Sequence, residues 1–244
     1  MNEEKMIAVE ERLRRRIRRT IPTILLVVLA SVGGTGAILL VGTSSANASP
    51  TSYKGPEGVL IYKVPNLAPA TTRDGQTMDG ISCRKQSDDT VKYHVHVHVS
   101  VYVKGKMMRL PAGIGITKPR LLEKFSNGHF YDVGPYDCLY WLHTHVADGI
   151  IHVESPGQRN FSLGQFFDIW NQPLGPNQVG PAKGRVVVFE NGKRLDGNPR
   201  RAPLLAHANI QIDVGSPIIP FHKFPFKVTG GCGAGTTSCT LPKK

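Results

Sequence analysis

The chain has 244 residues, with 30 Lys and Arg against 18 Asp and Glu, nine His and four Cys, for a formal net charge of +12. Beyond the N-terminus the basic residues are scattered, among them Lys54, Lys104, Lys106, Arg109, Lys118, Arg194, Arg200 and Arg201. No basic helix interleaved with aromatics appears, so nucleic acid is not an expected partner, and the excess charge reads as a solvated surface compatible with anionic lipid or polymer.

Residues 1–20 form a basic segment around Arg12, Arg14, Arg15, Arg16, Arg18 and Arg19. Residues 21–42 follow as an uncharged, mostly apolar stretch long enough to cross a bilayer as a helix. Positive charge resists translocation, so the arginines are expected in the cytoplasm and everything after Thr43 outside it. Ala46-Asn47-Ala48 offers a small-x-small cleavage site, but the apolar stretch exceeds the core of about 7–15 residues usual in a cleaved signal. An uncleaved single-pass cell-membrane anchor is therefore expected, with secretion after cleavage near Ala48 as the alternative; both export the remainder. Residues 43–56 read as a polar linker, and 57–244 as a single extracytoplasmic domain with a sizeable core.

Within that domain, residues 58–64 suggest a first strand and 66–80 a loop. Alternation is strongest in YHVHVHVSVYV, which places Val95, Val97, Val99, Val101 and Val103 on one face and His94, His96, His98, Ser100 and Tyr102 on the other. Lys104-Gly105, Asn127-Gly128, Asp148-Gly149 and Asn191-Gly192 are expected tight turns. FSLGQFFDIW is the expected helix, with Ser162 and Gln165 as a capping box, Leu163, Phe166, Phe167 and Trp170 on one face, and Pro173 as its stop. HANIQIDV alternates again, with Ala208, Ile210, Ile212 and Val214 inward and His207, Asn209, Gln211 and Asp213 outward, and the Pro-rich stretch after Pro217 should lie extended across the domain. Many hairpins and one short amphipathic helix predict an α+β fold on mainly antiparallel sheet.

Cys83, Cys138, Cys232 and Cys239 are expected as disulfides outside the cytoplasm. Three pairings are open, of which local Cys232–Cys239 closure, leaving Cys83 with Cys138, is simplest. No close CxxC pair supports a thiolate metal site.

Two histidine runs carry the chemistry, His94/His96/His98 and His143/His145, with His152 and Glu154 after the second. A hairpin turning on Asp148-Gly149 predicts His145 opposite His152 and His143 opposite Glu154, all on one face. A shift pairing His143 with His152 keeps that face, whereas an odd-length loop splits it. Three imidazoles and a carboxylate are a transition-metal shell suited to Zn, Cu(II), Fe, Mn or Ni rather than Cu(I). The competing reading is amphipathic strands whose histidines are solvated or hydrogen-bonded.

The HxH runs are similar to those of multicopper oxidases, but no HCH segment is present and neither Cys83 nor Cys138 is flanked by histidine, which excludes that assignment. More broadly, GISC, HVHVHVSVYVKGK, PAGIGI, CLYWLHTHVADGIIHVESP and FSLGQFFDIW, across residues 80–175, resemble a family of uncharacterised exported prokaryotic proteins. That resemblance implies one compact domain and no particular activity. Three functions follow: a membrane-anchored metal-binding domain; a metal-dependent enzyme on the same ligands, with Glu154 as ligand or general base; or a disulfide-stabilised structural or interaction domain without metal.

Overall fold

The computed structural model describes residues 51–85, 91–134 and 137–226. The apolar stretch 21–42, the Ala48 cleavage site, Cys232 and Cys239 lie outside the described residues, and no described helix is long and apolar enough to cross a membrane. In chain order the strands are β1 Ser52–Lys54, β2 Leu60–Tyr62, β3 Cys83–Lys85, β4 Tyr93–Val103, β5 Lys106–Met108, β6 Arg120–Phe125, β7 Gly128–Val133, β8 Cys138–Tyr140, β9 Leu142–His143 and β10 Ile150–Ser155. After helix α1, Leu163–Trp170, come β11 Leu174–Gly175, β12 Gln178–Val179, β13 Ala182–Lys183, β14 Val186–Glu190, β15 Lys193–Leu195 and β16 Asn209–Val214.

The central sheet runs β15-β14-β16-β4-β10-β9, with β5 also on β4, and the smaller sheets are antiparallel ladders around it. The described chain is therefore mostly β, and α+β fits only loosely because α1 is the one α-helix among the described residues. Antiparallel pairing prevails, as the hairpin-rich sequence implied, with one exception among the described strands: β16 runs parallel to β4. These strands are distant in sequence, so no tight turn dictates their direction.

The valine face of β4 forms the floor of the core. Val95, Val97, Val99 and Val101 are buried in one cluster with Ile210 and Ile212 of β16 and with Leu163, Phe166, Phe167 and Trp170 of α1. The helix begins as its sequence dictates: the Ser162 side chain accepts from Gln165 N and the Gln165 side chain accepts from Ser162 N. It ends at Asn171, left-handed at φ 58°, before Pro173 is reached.

Lys104-Gly105 and Asn191-Gly192 turn the chain with both residues at positive φ, as expected. The β6–β7 turn is centred one residue earlier than expected, on Ser126-Asn127, because Phe125 pairs with Gly128. Part of the stretch read as linker, Ser52–Lys54, is instead strand β1, held by β2. Asn209, Gln211 and Asp213 do point away from the core, but they are buried rather than solvated. The extended tail covers them: Ile219 N donates to Asp213, His222 N to Gln211 and Phe224 N to Asn209. These bonds satisfy polar groups that would be costly to bury alone.

Candidate metal centre

The register of the central sheet assembles the site. Strand β10 pairs with β4 so that His152 faces His96 and Glu154 faces His94, and with β9 so that His152 also faces His143. Directly paired residues share a face, so the two histidine runs meet on the side of the sheet opposite the valine core. His143 opposite His152 replaces the expected His143–Glu154 and His145–His152 pairs. The hairpin does not close tightly on Asp148-Gly149 because the chain leaves β10 at Thr144, which bonds instead to the backbone of Gly113 and Ile114. Gly115, at φ 73°, is needed there, since a Cβ would collide with the Leu142 carbonyl and with His143. The Asp148 carboxylate then accepts from Ile150 N to start β10.

Five imidazoles and one carboxylate converge. His94 Nε2, His96 Nε2 and His152 Nδ1 form a triangle with sides of 3.0, 3.1 and 3.3 Å. His143 Nε2 lies 3.0 Å from His145 Nε2. Glu154 Oε1 sits 3.4 Å from His94 Nε2, 3.6 Å from His143 Nε2 and 3.7 Å from His152 Nδ1. These side chains are buried except His96, which is half-buried. With metal–nitrogen bonds of about 2.0–2.1 Å, adjacent ligands on one ion are about 3.3 Å apart in a tetrahedron and about 2.9 Å apart in an octahedron; the His–His spacings of 3.0–3.3 Å fall in that interval, and the Glu154 spacings lie just above it.

Hydrogen bonds on the far side of the rings decide which nitrogens face inward with a lone pair. His143 Nδ1 contacts the Tyr140 carbonyl at 2.8 Å, and His145 Nδ1 contacts the Tyr131 carbonyl. A carbonyl only accepts, so each Nδ1 carries its proton there, and desolvation keeps both rings neutral, His143 well below its ordinary pKa and His145 lowered to about 3. Both Nε2 atoms are thus unprotonated and face each other at 3.0 Å with no hydrogen between them. His152 Nε2 donates to Glu57 Oε1 at 2.9 Å, leaving Nδ1 inward. Burial alone would lower His152, but Glu57 and Glu154 outweigh it and push the ring up to about 10, so the ring holds an extra proton that any cation bound there would have to displace.

Glu154 is oriented from outside the cluster. Arg84 binds its Oε2, leaving Oε1 for the histidines. Burial disfavours the carboxylate, yet the hydrogen bond and charge of His152 help hold it well below its usual range. The Cys83–Cys138 disulfide, which spans 55 residues, fixes β3 beside β8 and so places Arg84. Phe130 of β7 stacks on His145 at 4.1 Å and covers that edge.

His94, His96, His143, His145, His152 and Glu154 are therefore brought together, whereas His98 is not. Its side chain stacks on Phe224 of the tail at 4.0 Å, its β4 position lies opposite Ile150 and Asn209, and burial lowers its pKa to about 4. Sequence reasoning missed Glu57, Arg84 and the two tyrosine carbonyls. Only Arg84 had a signal, its adjacency to the bridged Cys83; Glu57 lay in the presumed linker-to-strand boundary and the carbonyls are invisible in side-chain identity. No protein-family profile, curated protein or solved structure matches this chain, and the site's meaning rests on its own chemistry.

Proposed function

We propose that this chain is a membrane-anchored protein whose extracytoplasmic domain binds a transition metal through His94, His96, His143, His145, His152 and Glu154. The observation that carries the reading is the His143–His145 pair, two buried lone pairs aimed at one point with their protons committed to backbone carbonyls. Packed histidines in a purely structural domain would place a proton between such nitrogens, and a cation is what relieves the repulsion. The arrangement also has the feature common to metal-ligating histidines, an outer acceptor that fixes the tautomer. Imidazole and carboxylate donors suit Zn, Cu(II), Fe, Mn or Ni. The Cys83–Cys138 disulfide supports an oxidising compartment, in keeping with an N-terminal cytoplasmic basic segment and a span at 21–42.

The test is elemental analysis of the full chain, purified in detergent, beside a His143→Ala/His145→Ala variant. At least one tightly held transition-metal ion per chain is expected in the parent, with a clear loss in the variant. Equal substoichiometric metal in both would refute the reading.

A further inference from the structure

We propose that the centre holds two ions, one on His94, His96 and His152 and the other on His143 and His145, with Glu154 Oε1 bridging them; this rests on the metal-binding reading above. The geometry partitions the donors in this way. Within the triangle every edge is 3.0–3.3 Å, the spacing of neighbouring ligands on one ion. The His143–His145 edge, at 3.0 Å, meets the same criterion independently. An imidazole nitrogen has one lone pair, so His152 Nδ1, already the third corner of the triangle, cannot serve both groups.

The carboxylate joins the halves. Glu154 Oε1 lies 3.4 and 3.7 Å from His94 and His152 of the first group and 3.6 Å from His143 of the second, so it borders both. Arg84 on Oε2 explains why one oxygen does the bridging, since the guanidinium occupies the atom that would otherwise chelate. A carboxylate oxygen can span two cations, whereas a neutral imidazole cannot.

Counting the bridging carboxylate, the first ion has four protein donors and the second three, which leaves the second short of the four or more ligands such ions take. A water or hydroxide completes the second ion's shell and, set between the two ions, adds a fifth ligand to the first. Such a bridge also answers the charge problem. One carboxylate, itself paired to Arg84, offsets little of the charge on two divalent ions, and a water held between two cations loses a proton readily. Paired ions that share an activated water typically stand about 3.5–4 Å apart. A single ion using all six donors would be closed to solvent ligands and would force Glu154 into one shell, which its position between the groups does not favour.

The experiment is stoichiometry. The full-length chain in detergent is stripped with chelator, loaded with excess Zn²⁺, desalted and assayed for zinc per chain, alongside His96→Ala and His145→Ala variants checked for folding by circular dichroism. Two zinc ions in the parent and one in each single variant are expected. One zinc in the parent overturns the two-ion inference and leaves the metal-binding reading standing; no zinc or any other tested divalent ion in the parent overturns both. Two zinc ions retained by both folded variants would place the ions elsewhere and overturn the inference. A parent count below two overturns the inference even if a variant fails to fold.

Discussion

Glu57 is the residue whose replacement tests the outer hydrogen bonds of the centre most cleanly. Its Oε1 accepts from His152 Nε2 at 2.9 Å and so keeps Nδ1 turned inward, as the nitrogen whose proton a cation would displace. In Glu57→Gln the amide oxygen still accepts that proton, but the negative charge that favours cation binding is gone. In Glu57→Ala the acceptor is lost too, so nothing holds the neutral ring's remaining proton on Nε2, and the tautomer with the proton on Nδ1 blocks ligation. Outer-partner substitutions cost about 10–100-fold in metal affinity, so about tenfold is expected for Gln and about a hundredfold for Ala, or about 1.4 and 2.7 kcal/mol. Affinity is read by competition with a chromophoric chelator on the full-length chain. The same ordering should appear in thermal melts at fixed free metal, because metal bound only by the folded state stabilises it in proportion to the logarithm of its affinity. Parent-like affinity in both folded variants would refute the assigned role of Glu57 and the inward orientation of His152 Nδ1 with it.

Four further outcomes are expected. Burial holds His98 down to about 4 from an ordinary 6.5; a depressed folded pKa means that the unfolded chain takes up the proton first, so stability is full above about pH 6.5 and falls as pH drops toward 4, by about 3 kcal/mol at most. His98→Phe should remove that part of the acid sensitivity, read as a smaller shift of the urea midpoint between pH 7 and 4 in metal-free protein. Joint replacement of Cys83 and Cys138 by Ser opens a link across 55 residues and should cost roughly 4 kcal/mol by loop entropy, with weakened metal binding because Arg84 loses its anchor; unchanged stability in chemical denaturation would count against it. Phe166→Ala, at a fully buried position of α1, should cost about 3–5 kcal/mol in the same assay while leaving zinc stoichiometry intact in the folded fraction. Intact-mass analysis of the membrane fraction should find the chain uncleaved, with residues 1–48 still attached; a mature N-terminus at Ser49 would establish the secreted form instead.

Much of the local structure was legible from residue order. Strict alternation in YHVHVHVSVYV made β4 a strand and separated its valines from its histidines, and Ser162 with Gln165 marked where α1 starts, because period and capping chemistry act over a few residues. The same locality explains the misplacements. Asp148-Gly149 has the composition of a tight turn, but Thr144 finds better partners at Gly113 and Ile114, and no short-range rule contains those distant atoms. Asn209, Gln211 and Asp213 read as solvent-facing because their cover is a tail that returns from beyond residue 217.

For the candidate metal centre, the sequence by itself determined the donor inventory: which strands carry histidine on a single face, that Glu154 shares the period of His152, and that no close CxxC pair competes. Tertiary structure alone decided that the two histidine runs meet, since pairing of β4 with β10 joins segments whose contact no hairpin rule requires. It also decided that His98 is excluded, through Phe224, and that Glu57, Arg84 and two backbone carbonyls set the protons and charge. The physical reason is range. Periodicity and turn preference are properties of neighbouring residues, whereas ligand geometry depends on register between distant strands and on the acceptors that happen to lie behind each ring.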